Sequence, residues 1–163
     1  MTSHPTARVT RAAEERGLSI EIRERPAAHS LPEAAALLGI APADIVKTLV
    51  VKRSTPDAQG REYLLALVPG DRAISWPKLR ALVGVNKLRL PEPELALAAT
   101  GYERGTIVPI GATGDLPLYA DVRIVGGRIA MGAGAHGYSL FVDADALIAA
   151  YGATVADISN EAG

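Results

Sequence analysis

The sequence contains no cysteine, and this absence excludes several kinds of chemistry. With no Cys among its 163 residues, the chain has no disulfide, no thiolate metal ligand and no cysteine nucleophile of its own. The histidines are also few, and His4, His29 and His136 are too scattered for the spacing that metal ligands need. We therefore expect no metal site in this protein.

An excess of charge of either sign is also missing. The 17 Lys and Arg residues nearly balance the 18 Asp and Glu residues, so no basic field covers the whole surface, and any contact with nucleic acid must be local. No apolar run is long enough to span a bilayer, and the first residues lack the apolar core of a signal peptide. We expect a cytoplasmic protein without a membrane partner.

The length of the chain predicts one domain. A chain of 163 residues can bury one sizeable core but is too short for two ordinary domains. We therefore treat residues 1–163 as a single domain, with ends that fray near residues 1–5 and 158–163.

The most informative single residue is a lysine within an apolar strand pattern. Residues 45–51 are rich in β-branched side chains, and Lys47 shares a strand face with Leu49 and Val51. An ammonium group among aliphatic side chains costs free energy unless an anionic group meets it. The pattern therefore indicates a site for a negatively charged substrate, although Lys47 near a strand end could also extend its amine to water.

Hydrophobic periodicity and turn residues predict a mixed α+β domain. The fold class is α+β, with a mixed or antiparallel sheet of six or seven strands flanked by short helices. Strands and helices do not alternate strictly, which argues against a Rossmann arrangement. Helices are expected at 6–16, 31–38, 76–83, 91–99 and 144–151, and strands at 18–23, 45–51, 62–68, 88–90, 118–125, 128–131 and 138–142. Gly126-Gly127 predicts a hairpin between the strands at 118–125 and 128–131.

Two glycine-rich loops are the other candidates for a binding site. In the segments 101–105 and 132–137, glycine would let the backbone approach a ligand and direct N–H groups at oxygen atoms, or it could mark turns only. No Gly-Lys-Ser/Thr phosphate loop is present, and the second loop precedes a strand rather than the helix that a dinucleotide fingerprint requires. We call the segment 100–111 the central loop and the segment 132–137 the closing loop.

Four segments in the same order resemble one known family. Residues 45–51, 68–71, the central loop, and the closing loop with the strand and helix after it are similar to the YbaK-like aminoacyl-tRNA deacylases. These belong to the superfamily of the editing domain in bacterial prolyl-tRNA synthetases. The resemblance implies hydrolysis of the ester of a mischarged aminoacyl-tRNA, without metal or organic cofactor.

The resemblance also implies the residues of the site. It makes Lys47 the catalytic residue that contacts the tRNA 3′ end. The physical chemistry agrees with this assignment, because an ammonium group on a rigid strand can bind a phosphate or a developing oxyanion. The substrate-binding residues that it implies are Thr48, Gly101, Tyr102, Gly105, Pro109, Gly111, Gly134, His136 and Ser139.

The residues do not identify a general base or the edited amino acid. We therefore expect a water molecule that the loop backbone positions and that a substrate group assists, such as the ribose hydroxyl or an amino-acid thiol. Where some relatives carry basic residues and an aspartate in the closing loop, this chain has Ala135, His136 and Ser139, so a cysteinyl-, alanyl-, seryl- or other mischarged tRNA remains open.

Partners and alternatives follow from the same resemblance. We expect a free-standing trans-editing hydrolase acting on mischarged tRNA-Pro or a similar tRNA, with an aminoacyl-tRNA synthetase as a further candidate partner. A non-catalytic module that binds the aminoacyl-tRNA 3′ end or a small anion is the alternative. A basic stretch could contact phosphate or be a solvated helix face; its members are Lys78, Arg80, Lys87 and Arg89.

Overall fold

A computed structural model describes residues 4–162, so part of the expected fraying, at residues 1–3 and 163, lies outside the described residues. The described chain contains five α-helices and ten short strands. The helices are α1 (Ala7–Glu15), α2 (Leu31–Leu38), α3 (Trp76–Val83), α4 (Pro93–Thr100) and α5 (Ala144–Tyr151). The strands are β1 (Ile20–Glu24), β2 (Val46–Arg53), β3 (Tyr63–Pro69), β4 (Arg72–Ile74), β5 (Leu88–Arg89), β6 (Leu118–Asp121), β7 (Arg128–Gly132), β8 (Tyr138–Asp143), β9 (Thr154–Ala156) and β10 (Ser159–Glu161).

The strands form three sheets. The largest is a mixed five-stranded sheet in the order β5-β2-β3-β6-β9, in which β2 is antiparallel to β3 and β6 is parallel to β3 and β9. An antiparallel three-stranded sheet has the order β1-β8-β7, and β10 pairs with β4 in a two-stranded sheet. The predicted α+β class is confirmed, although the strands outnumber the six or seven expected.

Capping residues explain why the helix boundaries follow the sequence closely. Ser30, Ser75 and Asp143 each accept a hydrogen bond from the backbone N–H three residues later, which satisfies a donor that the first helical turn leaves free. Gly39 and Gly152 end α2 and α5 in the left-handed conformation, with φ of 73° and 59°. The predicted ends of α2, α3 and α5 are confirmed.

The central strand β3 places apolar side chains on both faces of the five-stranded sheet. Leu65 and Leu67 enter the main core, together with Val50 of β2. Leu64 and its neighbours on the other face enter a second core, which includes Ile158 from the C-terminal stretch. Burial on both faces explains the unbroken apolar run of this strand.

The predicted hairpin at Gly126-Gly127 is wrong. Residues 118–121 form β6 in the five-stranded sheet, whereas β7 pairs with β8 in the three-stranded sheet. Between them lies a 3-10 turn at Val122–Ile124, which begins where the buried carboxylate of Asp121 accepts a hydrogen bond from Arg123 N. This turn carries the chain out of one sheet and into the other before the glycines are reached.

The C-terminal stretch is ordered where we expected fraying. β10 pairs with β4, and both Ile158 and Ser159 are fully buried. The sequence does not predict β4, β9 and β10, because a strand of three residues is too short to show an alternating pattern.

Candidate functional site

Strand β2 forms one wall of a cavity of about 680 Å³. Lys47, Thr48 and Val50 line it from β2, and residues of α2, the central loop, β7 and β8 form the other walls. The cationic residues in its lining are Arg25, Lys47 and Arg104, and within residues 4–162 no Asp, Glu or His lines it. The cavity is therefore suited to a ligand that carries negative charge or develops it during a reaction.

The amine of Lys47 is held in a defined position. Its Nζ donates a hydrogen bond of 2.5 Å to the carbonyl oxygen of Arg72, at the start of β4. Partial burial lowers the pKa of Lys47 below its ordinary value, and the nearby carboxylate of Asp71 partly offsets this shift. An ammonium group has three donors, so two remain for a ligand after the bond to Arg72.

The edge of β2 that lines the cavity offers backbone hydrogen-bonding groups. Arg53 N donates to Glu62 O at 2.8 Å, and Ile45 O accepts from Gly70 N at 2.6 Å, so the odd-numbered residues of this ladder bond to the β3 side. The backbone N–H and C=O of Thr48 and Val50 therefore point away from β3, and β5 pairs with β2 only further along, from Lys52 onward. This edge can bind a ligand in the manner of an added strand.

Thr48 adds an unsatisfied side chain to the same wall. Its Oγ1 is buried and has no hydrogen-bond partner among the described residues. A buried hydroxyl without a partner costs free energy, which a ligand with a suitable group would recover on binding.

The central loop divides between the cavity and the core. Arg104, Gly105 and Ile107 line the cavity, as the prediction for Gly105 requires. Pro109 and Gly111 instead line a separate cleft of about 470 Å³ beside α1. Of these three predicted residues of the central loop, only Gly105 therefore lies in the lining of the cavity beside β2.

Arg8 of α1 holds the far side of the central loop in place. Its Nε donates to Gly111 O at 2.7 Å and its Nη2 to Thr100 O at 3.1 Å. Gly101 lies against the same guanidinium and does not line the cavity. These contacts fix the loop conformation without bringing Gly101 or Gly111 to the ligand space.

Tyr102 is a core residue rather than a lining residue. Its side chain is buried, its hydroxyl donates to Ile110 O at 2.8 Å, and burial raises its pKa to about 12. Gly134 of the closing loop packs against this ring, and a Cβ there would lie 2.7 Å from it. Both residues support the loops from behind.

The closing loop and β8 contribute Gly132 and Ser139 to the cavity. Ser139 Oγ accepts a hydrogen bond of 3.0 Å from Arg25 Nε, which directs this arginine at the cavity wall. His136 does not line the cavity; it is largely exposed and its Nε2 lies 3.0 Å from Glu103 Oε2. Of the predicted site residues, the structure thus brings together Lys47, Thr48, Gly105 and Ser139.

Sequence reasoning missed several lining residues. Arg25 and the apolar side chains of α2 that cover the cavity, Leu31, Ala34 and Leu38, carry no signal that separates them from loop or core residues. Arg104 lies within the central loop, and its position in that loop is the one feature of the sequence that could have predicted it as a lining residue.

Membrane-spanning and metal-binding features are absent from residues 4–162. No helix there is long and apolar enough to cross a membrane, and no group of three His, Asp or Glu side chains is arranged to hold a metal ion.

Comparisons with known proteins agree with the geometry. The model of the aminoacyl-tRNA editing domain family matches residues 25–150. The proline–tRNA ligase of Nitratidesulfovibrio vulgaris strain DP4 is 38% identical over 101 residues, which are 62% of this chain and 17% of the ligase. That of Shouchella clausii is 37% identical over 120 residues, which are 73% of this chain and 20% of the ligase. The chain thus spans about a fifth or less of these relatives.

Solved structures of similar size share the whole fold. The crystal structure of a proposed trans-editing enzyme for prolyl-tRNA synthetase has a TM-score of 0.86 and 30% identity, covering 98% of this chain and 99% of that one. A scaffold protein from an epitope-grafting study has a TM-score of 0.85 and 29% identity, covering 99% and 100%. The resemblance found in the four sequence segments is confirmed, and the chain belongs to the aminoacyl-tRNA editing domain family.

Proposed function

We propose that this chain is an aminoacyl-tRNA deacylase that acts in trans and hydrolyses the ester between a mischarged amino acid and the terminal ribose of tRNA. The observation that carries the proposal is the cavity beside β2, where Lys47 lies on a rigid strand and the charged residues of the described lining are all cationic. Membership of the editing domain family supports the reaction class.

Lys47 is the proposed catalytic residue. Its two free donors can bind the oxyanion that develops on the ester carbonyl, or the neighbouring phosphate of the tRNA 3′ end. Partial burial strengthens either interaction, because charges interact more strongly in a low dielectric than in water. The bond to Arg72 O holds the ammonium in place before the substrate arrives, so little reorganisation is needed.

Thr48, Gly105 and Ser139 are the proposed substrate-binding residues that line the cavity. Thr48 offers its unpaired hydroxyl and its outward-facing backbone groups to the aminoacyl-adenosine end. Gly105 brings backbone close to the ligand, and Ser139 anchors Arg25 on the opposite wall. The hydrogen bonds that these groups gain would orient the ester for attack.

The proton steps are assigned to water and substrate, because no Asp, Glu or His among residues 4–162 lines the cavity. Water attacks the ester carbonyl carbon, the bond from that carbon to the ribose oxygen breaks, and the ribose oxygen receives the proton that the water loses. A neighbouring ribose hydroxyl or an amino-acid thiol can relay that proton.

The same lack of a protein base favours one alternative. A module that binds the aminoacyl-tRNA 3′ end without cleaving it would need the cationic cavity but no acid or base. Hydrolysis is the better-supported function, since the chain matches an editing domain over most of its length.

Mischarged tRNA-Pro is the proposed substrate, in the cytoplasm, with a prolyl-tRNA synthetase as candidate partner. The relatives described above include proline–tRNA ligases, and a similar solved structure is a proposed trans-editing enzyme for prolyl-tRNA synthetase. The apolar lining contributed by Ala130 and Met131 suits a small uncharged side chain.

A deacylation assay on a panel of misacylated tRNAs tests the proposal. We expect the purified chain alone to release the amino acid from at least one mischarged tRNA-Pro. Lys47→Ala should lower kcat/KM by about 10²- to 10³-fold, the range seen when an oxyanion donor is removed.

The pH dependence of the wild type follows from the same residue. The protonated amine is the proposed active form and its pKa is lowered, so as the pH is raised, activity should already be lost below the ordinary lysine pKa of 10.5.

Arg11→Ala is the control, because Arg11 of α1 is exposed and lies outside the cavity. Binding without turnover on every member of the panel would favour the non-catalytic module. An unchanged rate for Lys47→Ala would remove this lysine from the mechanism.

A further inference from the structure

A second surface feature lies at the far end of β2 and is strongly cationic. A groove of about 600 Å³ is formed by the end of β2, α3 and β5. Five of its eight lining residues are cationic: Lys52, Arg53, Arg80, Lys87 and Arg89. The other three are Ser54, Asn86 and Leu88, so no carboxylate from residues 4–162 lines this groove. The net charge of the whole chain is only −1.

Most of these cations are free to bind a ligand. Arg80, Lys87 and Arg89 have no side-chain hydrogen bond or ion pair within residues 4–162. Arg53 uses only Nε, which donates to Thr55 O at 3.0 Å. Lys52 is the exception, since its amine lies 3.4 Å from Glu62 Oε1. Like charges gathered without counter-charges repel one another, so an anionic ligand would relieve a cost already present.

Lys78 does not belong to this groove, although it lies in the same basic stretch of sequence. Its amine donates to Asp157 Oδ2 at 3.0 Å and to Ser159 O at 2.8 Å. The structure therefore separates one structural lysine from the three free cations of that stretch.

The groove continues directly from the cavity. On β2, Thr48 and Val50 line the cavity, while Lys52 and Arg53 line the groove. The step of four residues from Thr48 to Lys52 spans roughly 13 Å along the strand. After Leu88 and Arg89 of β5 line the groove, the next residues, Leu90 and Pro91, line the cavity. One polymer could therefore occupy both.

We propose that this groove binds backbone phosphates of the RNA strand a few nucleotides upstream of a 3′ end held in the cavity. Arginine guanidinium groups bind phosphate with paired N–H donors, and lysine adds a point charge. Cations are the majority of the described lining residues, and no aromatic side chain is among them to stack on a base, so the groove suits the RNA backbone rather than one sequence. The proposal rests on the proposed function, because it takes the cavity as the place of the 3′ end.

Binding of uncharged tRNA, measured by fluorescence anisotropy over a range of salt concentrations, tests the groove without any chemistry. Lys87→Glu/Arg89→Glu should weaken tRNA binding by about tenfold or more and reduce the salt slope by about 2, one for each cation that no longer binds a phosphate. The matched control is Arg11→Glu/Arg128→Glu, which changes the net charge equally on α1 and β7 and should bind almost as wild type.

Lys87→Ala/Arg89→Ala, with circular dichroism of every variant, separates weaker phosphate binding from unfolding of the chain. It should show a smaller effect in the same direction. Equal weakening by test and control variants, or tRNA binding unchanged in the test variants, would overturn the groove proposal, as would a wild-type chain that does not bind tRNA.

Deacylation of a short 3′-aminoacyl-adenosine separates the groove from the proposed function. The groove variants should raise KM for full-length misacylated tRNA and leave hydrolysis of the short ester within about twofold of wild type. If the wild type binds tRNA through the groove yet cleaves neither substrate, the deacylase proposal fails and the groove proposal stands. If the groove variants lose the short substrate as well, the groove is not a separate site.

Discussion

Asp121 is a fully buried carboxylate, and its hydrogen bonds explain how a charge is tolerated inside this protein. It accepts from Ile158 N at 3.0 Å, from Ser159 Oγ at 2.8 Å and from Arg123 N at 3.0 Å. Burial alone would raise the pKa of Asp121, but the hydrogen bonds outweigh it and hold this pKa below its ordinary value. The residue therefore fastens the C-terminal stretch to the end of β6.

Replacing this carboxylate should destabilise the fold. We expect Asp121→Asn to lower the free energy of unfolding by about 2–4 kcal/mol, because an amide places a donor where Arg123 and Ile158 also donate. Thermal or denaturant unfolding at neutral pH measures this loss of stability. Asp115→Asn is the control, because the side chain of Asp115 is 88% exposed. Equal stability of the two variants would contradict the role of Asp121.

The same residue predicts a dependence on pH. A lowered carboxyl pKa gives stability that is fully present above about pH 4 and is lost as pH falls through the pKa of the folded state. The difference in the free energy of unfolding between wild type and Asp121→Asn should therefore shrink as the pH is lowered below about 4.

Single residues differ in how far sequence alone could assign them. Lys47 lies in the lining of the cavity, as the charge within an apolar strand pattern indicated, and its catalytic role stays a prediction. Arg25 was not predictable, because an arginine outside a regular element is ordinary and only the fold brings it to Ser139. Gly101 and Gly111 were predicted as ligand-binding residues, but their φ of 80° shows that the turns themselves require glycine.

At the scale of elements, the central loop is positioned by close contact with β7. A Cβ added to Gly132 would lie 2.8 Å from Thr106 O and 3.0 Å from Ile107 O, which are backbone atoms that cannot move aside cheaply. Gly105 and Ile107 line the cavity, so this contact sets the position of one of its walls.

We expect Gly132→Ala to displace the central loop and lower deacylation by about tenfold or more, while most of the fold remains. A small misplacement of positioning groups costs activity steeply. The matched control is Gly127→Ala, where neither φ nor space forbids a side chain, because the Cβ would meet Ile124 O at 3.5 Å. Comparable activity in the two variants would show that packing of the loop against β7 does not position the site.

Helices and strands also differ in how far the sequence alone predicts them. Helices α2, α3 and α5 were predictable because their caps are local chemistry, readable within a few residues. The place of β6 between β3 and β9 was not, because parallel pairing joins segments far apart in sequence. A Gly-Gly pair favours a hairpin only when both flanking strands lie in one sheet.

At the scale of the whole molecule, stability depends on two cores separated by the five-stranded sheet. The second core includes Leu64, Leu79 and, from beyond β9, Ile158, which is fully buried. Ile158 therefore completes a core whose other fully buried members all lie more than seventy residues earlier in the sequence.

Ile158→Ala should lower the free energy of unfolding by about 2–4 kcal/mol, because less apolar surface is buried and a cavity is left behind. For a chain of this size that corresponds to a melting temperature lower by roughly 4–16 °C. Val155→Ala is the control, because Val155 is 37% exposed, and it should change stability by less than about 1 kcal/mol. Similar melting temperatures for the two variants would refute the structural role of the C-terminal stretch.

Arg72 links the two ends of this architecture. Its carbonyl oxygen accepts a hydrogen bond from the amine of Lys47, and its Nε donates to Ser159 Oγ of β10 at 2.7 Å. The final strand and the proposed catalytic amine therefore share one residue as their common anchor. Loss of the pairing between β10 and β4 would therefore remove contacts that hold Arg72, the residue whose carbonyl oxygen accepts the hydrogen bond from Lys47.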